Sequence, residues 1–582
     1  DVREFLSSWS TGHNVPHNTV NSLLRYLRQH ACFSSLPMDA RTLLKTPRGA
    51  KLRDCPPGKY CHFSLKQVLE EIISTSPNLS EIPSQIGLMF YVDGVQVSKS
   101  SKSQFWPILA QSKDLSDAGI FVIGCYHGYS KPASVHDYLK DFVEELLQLI
   151  ENGFEVSGRD FGVAIKAFVC DAPARAFLLG IKSHSGYFGC GKCVQKGSNV
   201  ENRVVFLKTD AALRTDQDFI DKSQPDHHLT DTPLSLLPMG LVSQFPYEYM
   251  HLVCLGVVRK LLLLWMRRSI PKCRLASKVI HEISQSLLRL AAEVCCEFSR
   301  KPRSLSEIDR WKATELRQFL LYTGPVVLKA LERKKQEHFL VLHVAISLLA
   351  TPELCHQQND YAQELLLFFV RCFPALYGKE TVSYNVHGLV HLAGDVLMHG
   401  PLDEFIAFDS ESFLCRLKRL VRSGRKPLEQ LFNRISELRV RNPKCQRSSD
   451  IDLQMKHSDG PLVEGCLGPQ YRKACLENFV LTTSSGDNCC ILEDSSIVVI
   501  ENFSRDAAGK EVLIARQYLK MHDLYSVPCR SSVLGIHVVS QPSVLKMWPL
   551  IHVQNKCVRL PLHSDPIEEF AVFPLRHSCF RQ

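Results

Sequence analysis

No stretch of this chain is apolar for long enough to cross a membrane. The longest candidate, Leu252 to Met266, is broken by Arg259 and Lys260, and a spanning helix needs about 20 predominantly apolar residues. A disulfide framework is missing too. The 22 cysteines fall as singles inside apolar segments (Cys170, Cys254, Cys415) or as adjacent pairs (Cys295-Cys296, Cys489-Cys490), which excludes a small stapled secreted scaffold. That usage fits a reducing compartment with buried thiols and a metal site. The absence of internal repeats excludes a solenoid or propeller. Strong charge is lacking as well: 69 Lys and Arg against 60 Asp and Glu give a net charge of +9, which permits a polyanionic partner without requiring one. The 45% apolar and 22% charged content is ordinary for a globular protein. At 582 residues the chain exceeds what one core can hold, so two to four domains are expected.

Residues 1–86 read as a helical N-terminal region, with helices over Val20–Leu27 and Phe63–Ile73. From residue 87 the pattern changes to strands: 87–97 with Asp93-Gly94 between two apolar runs, then 104–110 and 119–126. Asp-Gly in that setting signals a hairpin turn. His136 to Ile150 has helical apolar spacing. Ile165 to Cys170 is a further strand, and it runs into Asp171 and the helix opening Ala172-Pro173-Ala174-Arg175. Three strands, a helix, a strand and a helix, with Asp93 on the first strand and Asp171 at the end of the fourth, resemble a ribonuclease H-like core. That core is expected over 87–204.

Residues 205–400 read as a large inserted helical domain, in which His251 reads as a packed core histidine. Cys190 and Cys193 are spaced as half of a zinc site, and His387 and His391 are four apart on one helix face. Each pair lacks partners nearby, so together they are expected to form a structural Cys2His2 zinc site from remote halves. Glu411 begins a helix over the 401–440 segment, with Asp409 as a competing acid. Lys418, Arg419, Arg422, Arg425 and Lys426 follow as a basic face, readable as a phosphate-contacting surface or as a nuclear import signal. Residues 441–468 read as a linker. Residues 469–582 alternate as short strands, including 533–539, and form a small β-barrel or sandwich.

With Asp93, Asp171, Cys190-Gly191-Lys192-Cys193, His387-Gly388-Leu389-Val390-His391 and Glu411 in one order, the chain resembles the DDE transposases of the CACTA (En/Spm-like) group. The resemblance runs through 91–109, 168–193, 247–262, 311–325, 385–395 and 408–431, and so covers nearly the whole chain. Its layout is similar to that of the vertebrate recombination-activating recombinase. The resemblance implies a polynucleotidyl transferase in which Asp93, Asp171 and Glu411 hold two Mg2+ or Mn2+ ions, and Cys190, Cys193, His387 and His391 hold Zn2+. It implies DNA as partner (transposon ends and target), a homodimer or larger oligomer, and the nucleus as location. The alternative it leaves is a domesticated, catalytically silent DNA- or chromatin-binding protein.

Overall fold

Alternation along Gln85–Val92 and the apolar stripe of Val135–Asn152 set the architecture around the first acids. A computed structural model describes residues 1–76, 78–98, 101–115, 118–267, 273–439, 451–562 and 569–576. The chain divides into two compact units. The first takes Asp1–His184, Arg214–Pro246 and Ile406–Gln446; the second takes Ser185–Leu213, Tyr247–Phe405 and Arg447–Gln582. The boundary expected at 204/205 therefore differs from the observed division. Gln244 explains part of this: its carbonyl accepts from Phe168 N and its amide donates to Ile165 O. Phe245 also stacks on Phe168 with ring centroids 5.1 Å apart.

The first unit contains a sheet built from β1 (Leu52–Cys55), β2 (Gly58–His62), β3 (Gln85–Val92), β4 (Gln104–Gln111), β5 (Phe121–Gly128), β6 (Phe154–Val156) and β7 (Arg159–Val169). Helix α1 (Val135–Asn152) separates β5 from β6, and α2 (Ala172–Leu179) follows β7. The strand order is β1-β2-β5-β4-β3-β7-β6, and an eighth, two-residue strand, Val95–Gln96, pairs with β4. Only β3 and β7 pair in parallel. Ile86, Leu88, Phe90 and Val92 face the core that Tyr138, Leu139, Phe142 and Leu146 of α1 complete. Ser134 caps α1 at its start and Gly153, at φ +63°, ends it. A Cβ at Gly153 would lie 2.6 Å from Phe161 O, so no larger residue fits this turn.

Two expectations change here. Residues 1–86 are not wholly helical, because β1 and β2 form a hairpin that extends the sheet through β2–β5 pairing. Their short polar sequences carry no strand signal. Nor is Asp93-Gly94 a turn. Val92 pairs with Ile108 and Val95 with Phe105, so the chain passes through Asp93-Gly94 in unbroken register against β4. Pro107 stands opposite Asp93 and has no N–H to give, so the ladder lapses there without reversing. Val97 N bonds Ser103 O farther on.

The other face of this sheet takes the helix Pro427–Arg439, which packs against β2 and β5. Phe432 stacks on Phe63 at 5.5 Å, and Arg439 donates to Phe63 O and Val122 O. N-terminal residues brace this helix and the preceding Phe408–Leu420 helix. Arg422 donates to Asn14 Oδ1 at 2.8 Å, and Arg434 bonds the ring of His17 at 2.7 Å. Thr46 donates to the buried Glu437.

The second unit is helical in its middle and β in its C-terminal part. Arg333–Ala350 is buried on all sides from His338 onward, as a central helix must be. Within the residues expected to form the helical domain, Leu305–Arg310 is a short 3-10 segment and Ala313–Gln318 an α-helix. No described helix is long and apolar enough to cross a membrane. The C-terminal part comprises β8 (Asp452–His457), β9 (Gln470–Cys475), β10 (Val480–Thr482), β11 (Cys489–Leu492), β12 (Ile497–Arg505), β13 (Glu511–His522), β14 (His537–Pro549), β15 (Val553–Pro561) and β16 (Phe570–Pro574). The circuit β12-β11-β15-β16-β14-β13 closes through β12–β13 pairing, giving a six-stranded antiparallel barrel. Of the expected linker 441–468, residues 441–450 lie outside the described residues and 452–457 is strand β8. The strand expected over 533–539 starts only at His537, because Ser531–Leu534 turns and Gly535 takes a positive φ.

Candidate metal centre and acidic residues

Four side chains from two distant segments of the second unit converge: Cys190, Cys193, His387 and His391, all buried. The Sγ atoms are 3.5 Å apart. Cys193 Sγ lies 3.3 Å from His387 Nε2, Cys190 Sγ 3.5 Å from His391 Nε2, and the two Nε2 atoms 3.4 Å from each other. A tetrahedral zinc with bonds of about 2.3 Å to sulfur and about 2.05 Å to nitrogen has edges of about 3.8, 3.6 and 3.4 Å for S–S, S–N and N–N. The observed edges match this set to within a few tenths of an ångström. Soft thiolates with imidazoles in this shape suit zinc among common cations.

The local chain explains the convergence. His387 and His391 sit where Tyr384–Gly388 tightens through a 3-10 turn, Leu389–His391, before Leu392–His399. A Cβ on Gly388 would lie 2.7 Å from Leu252, so its absence lets the two helical segments approach. Phe206 stacks on the His387 ring, and Tyr247 meets His391 edge-on. Burial alone would push the Cys190 thiol up. The Cys193 thiol and the His391 and His387 imidazoles outweigh it and bring Cys190 well below the usual cysteine value, the direction metal binding requires.

Three supporting groups escaped the sequence reading. Lys192, between the two cysteines, pairs with Asp395 at 2.5 Å, and both are buried. The other Asp395 oxygen accepts from Tyr247 N at 2.7 Å. Tyr247 Oη accepts from Gly191 N and lies 3.5 Å from Cys190 Sγ. Asp395 was discoverable: it extends the His387–His391 spacing by four more residues along the same face. His251 is half-buried rather than a core histidine, and Nδ1 lies 2.8 Å from Glu248.

The three expected catalytic acids all belong to the first unit. Tyr91 pairs with Val169 as the last pair of the parallel strands β3 and β7, so Asp93 and Asp171 each follow two residues beyond it, past the carboxyl ends of the two strands. Asp171 caps α2 by accepting from Ala174 N at 2.7 Å, and Asp93 accepts from Gly94 N at 2.7 Å. Glu411 lies in the first turn of Phe408–Leu420, half-buried, as does Asp409. Asp93, Asp171 and Glu411 are not among the groups of described residues whose ligand atoms all lie within 4.8 Å of one another. Of the basic residues, Arg422 is engaged by Asn14, Lys418 is half-buried, and Arg419, Arg425 and Lys426 are exposed.

A second convergent group, Cys295, Glu297 and Asp487, already has a cation. Lys556 Nζ, fully buried, donates to Glu297, Asp487 and the Val480 carbonyl at 2.5–2.6 Å. A family model described as a domain of unknown function, DUF8592, matches residues 456–575, the span of the barrel. No curated protein matches the chain.

Proposed function

We propose that the protein is a DDE-type, two-metal DNA strand transferase with a structural zinc. The observation that carries this reading is the parallel pairing of β3 with β7, whose last pair, Tyr91 with Val169, stands two residues before Asp93 and Asp171. The order β5-β4-β3-β7, antiparallel except for its last pair, with α1 between β5 and β7, supports a ribonuclease H-like core. The Pro427–Arg439 helix, which follows the one that bears Glu411, packs on the same sheet against β2 and β5.

On this reading Asp93, Asp171 and Glu411 hold two Mg2+ or Mn2+ ions. Such ions would supply Lewis-acid charge to the attacking and leaving oxygens of a phosphodiester. Arg419, Arg425 and Lys426 neutralise DNA phosphates. Cys190, Cys193, His387 and His391 hold Zn2+, which ties the segment after the sheet to the helical part. Handling two DNA ends calls for at least two copies of the chain, acting in the nucleus.

The test is Mn2+-dependent nicking of supercoiled DNA by the zinc-loaded protein, with Asp171→Asn and Glu411→Gln as variants. Nicking should fall at least 100-fold in both, with unchanged thermal unfolding. Nicking that survives either substitution removes that residue from the site. DNA binding without nicking in the wild type selects the silent, DNA- or chromatin-binding alternative.

A further inference from the structure

All six barrel strands send side chains into one interior cluster: Cys489, Ile497, Tyr518, Val539, Cys557 and Val572. Two of these are thiols. Cys490 pairs with Lys556 across β11 and β15, so Cys489 stands directly opposite Cys557. Opposed residues on antiparallel strands have Cα atoms about 4.5–5.5 Å apart, inside the roughly 4.4–6.8 Å that a disulfide spans. Arg559 follows two residues after Cys557 on the same strand and so lies on the same face of β15. Arg559 is itself fixed, donating to Tyr518 Oη at 2.8 Å and lying 4.5 Å from the centroid of the Phe570 ring. The Cys557 thiol outweighs burial and, with Arg559, lowers the Cys489 pKa, which favours a nucleophilic thiolate.

The sheet of the first unit supplies a contrast. Cys61 and Cys125 are also directly opposed, across β2 and β5. Their thiols donate to the carbonyls of His62 and Tyr126. Burial pushes both pKa values up, that of Cys61 to about 12. Strand register is shared by the two pairs; what belongs to Cys489 and Cys557 is a place in one cluster fed by all six barrel strands, beside an Arg559 anchored on Tyr518 of that cluster.

We propose that Cys489 and Cys557 form a redox-active dithiol inside the barrel, oxidised to a disulfide by hydrogen peroxide. The Cys489 sulfur attacks the peroxide: an S–O bond forms, the O–O bond breaks and one water leaves, giving a sulfenic acid. The Cys557 sulfur then displaces the hydroxyl: the S–S bond forms and a second water leaves. Two electrons pass from the two thiols to the peroxide. Both cysteines are only 1% exposed, which selects an oxidant as small as hydrogen peroxide over a glutathione-sized one. This proposal rests on the barrel alone and is independent of the DNA-processing reading.

The experiment is peroxide titration of the full zinc-loaded chain, followed by removal of the peroxide, alkylation in denaturant, digestion without reduction and mass spectrometry. Fragmentation assigns the linked sulfur among Cys475, Cys489 and Cys490. The expected result is a 489–557 link while Cys61 and Cys125 remain alkylatable. In Cys557→Ser a dimedone-reactive sulfenic acid should replace the link on Cys489. The proposal is overturned if Cys489 and Cys557 stay alkylatable at a dose that has oxidised the exposed Cys32 and Cys415. It is equally overturned if a 61–125 link forms as fast, since register alone would then decide.

Discussion

At the scale of single residues, the zinc ligands and Glu145 carry measurable consequences. Cys190→Ser removes one soft ligand from a buried tetrad and leaves the Lys192–Asp395 pair bracing an emptied knuckle. Because metal binding and folding are linked, zinc content should drop by one ion per chain in atomic absorption, with stability falling by several kcal/mol. Unchanged stoichiometry would remove the four-ligand site. Glu145 accepts from His62, Ser64 and the Leu65 and Lys66 amides. Burial would raise its pKa, yet these bonds bring it from 4.5 to about 2. A depressed carboxylate stabilises fully above its unfolded value, and the gain is lost as pH falls from about 4.5 to about 2. The loss should be on the order of 2–3 kcal/mol, and Glu145→Gln should flatten the pH dependence of urea unfolding across that window. The cysteine and histidine pairs were legible in the sequence because their spacing is local. Lys192, Tyr247 and Glu145 were not, because a polar residue reveals its partner only once distant segments meet.

At the scale of elements, what the sequence conveyed was the strand–helix alternation, and what it concealed was register. The apolar pattern around residues 87–97 is equally compatible with a hairpin at Asp93-Gly94 and with a strand running through it. The pairing of Val95 with Phe105 on the partner strand decides, and nothing near Asp93 announces it. Lys166 is a similar case: it interrupts an apolar run because β7 bulges there, Leu88 pairing with Ile165 and Met89 with Ala167. The attachment of the barrel to the helices of its own unit is an element-level feature with its own test. Lys556 on β15 is met by Glu297, after the Ser277–Leu290 helix, and by Asp487, before β11. Replacing it with methionine preserves side-chain volume but leaves Glu297 buried without its cation. Breaking a buried pair this way costs roughly 3–5 kcal/mol, more than any surface pair in the chain should. Urea unfolding of Lys556→Met measures it, and a change below about 1 kcal/mol would show that the acids repack or protonate at little cost.

At the scale of the whole molecule, each compact unit is assembled from three separated stretches of chain. Composition could forecast several domains but not that Arg214–Pro246 returns to the sheet, since that return is made by Gln244 and Phe245 against β7. Interleaved units make the zinc site a local lock with a bounded effect. Its four ligands all belong to the second unit, while the strands bearing Asp93 and Asp171 belong to the first. Chelation at neutral pH should therefore expose amides in 185–213 and 384–399 to hydrogen exchange, and leave protection along β3, β4 and β7 largely intact. Acidification should reproduce the effect, because protons compete with the metal for its ligands. The discriminating measurement is peptide-resolved exchange with and without a zinc chelator. Uniform deprotection across both sets of peptides would mean that the two units unfold as one cooperative body, and the zinc would then stabilise the acid-bearing sheet as well.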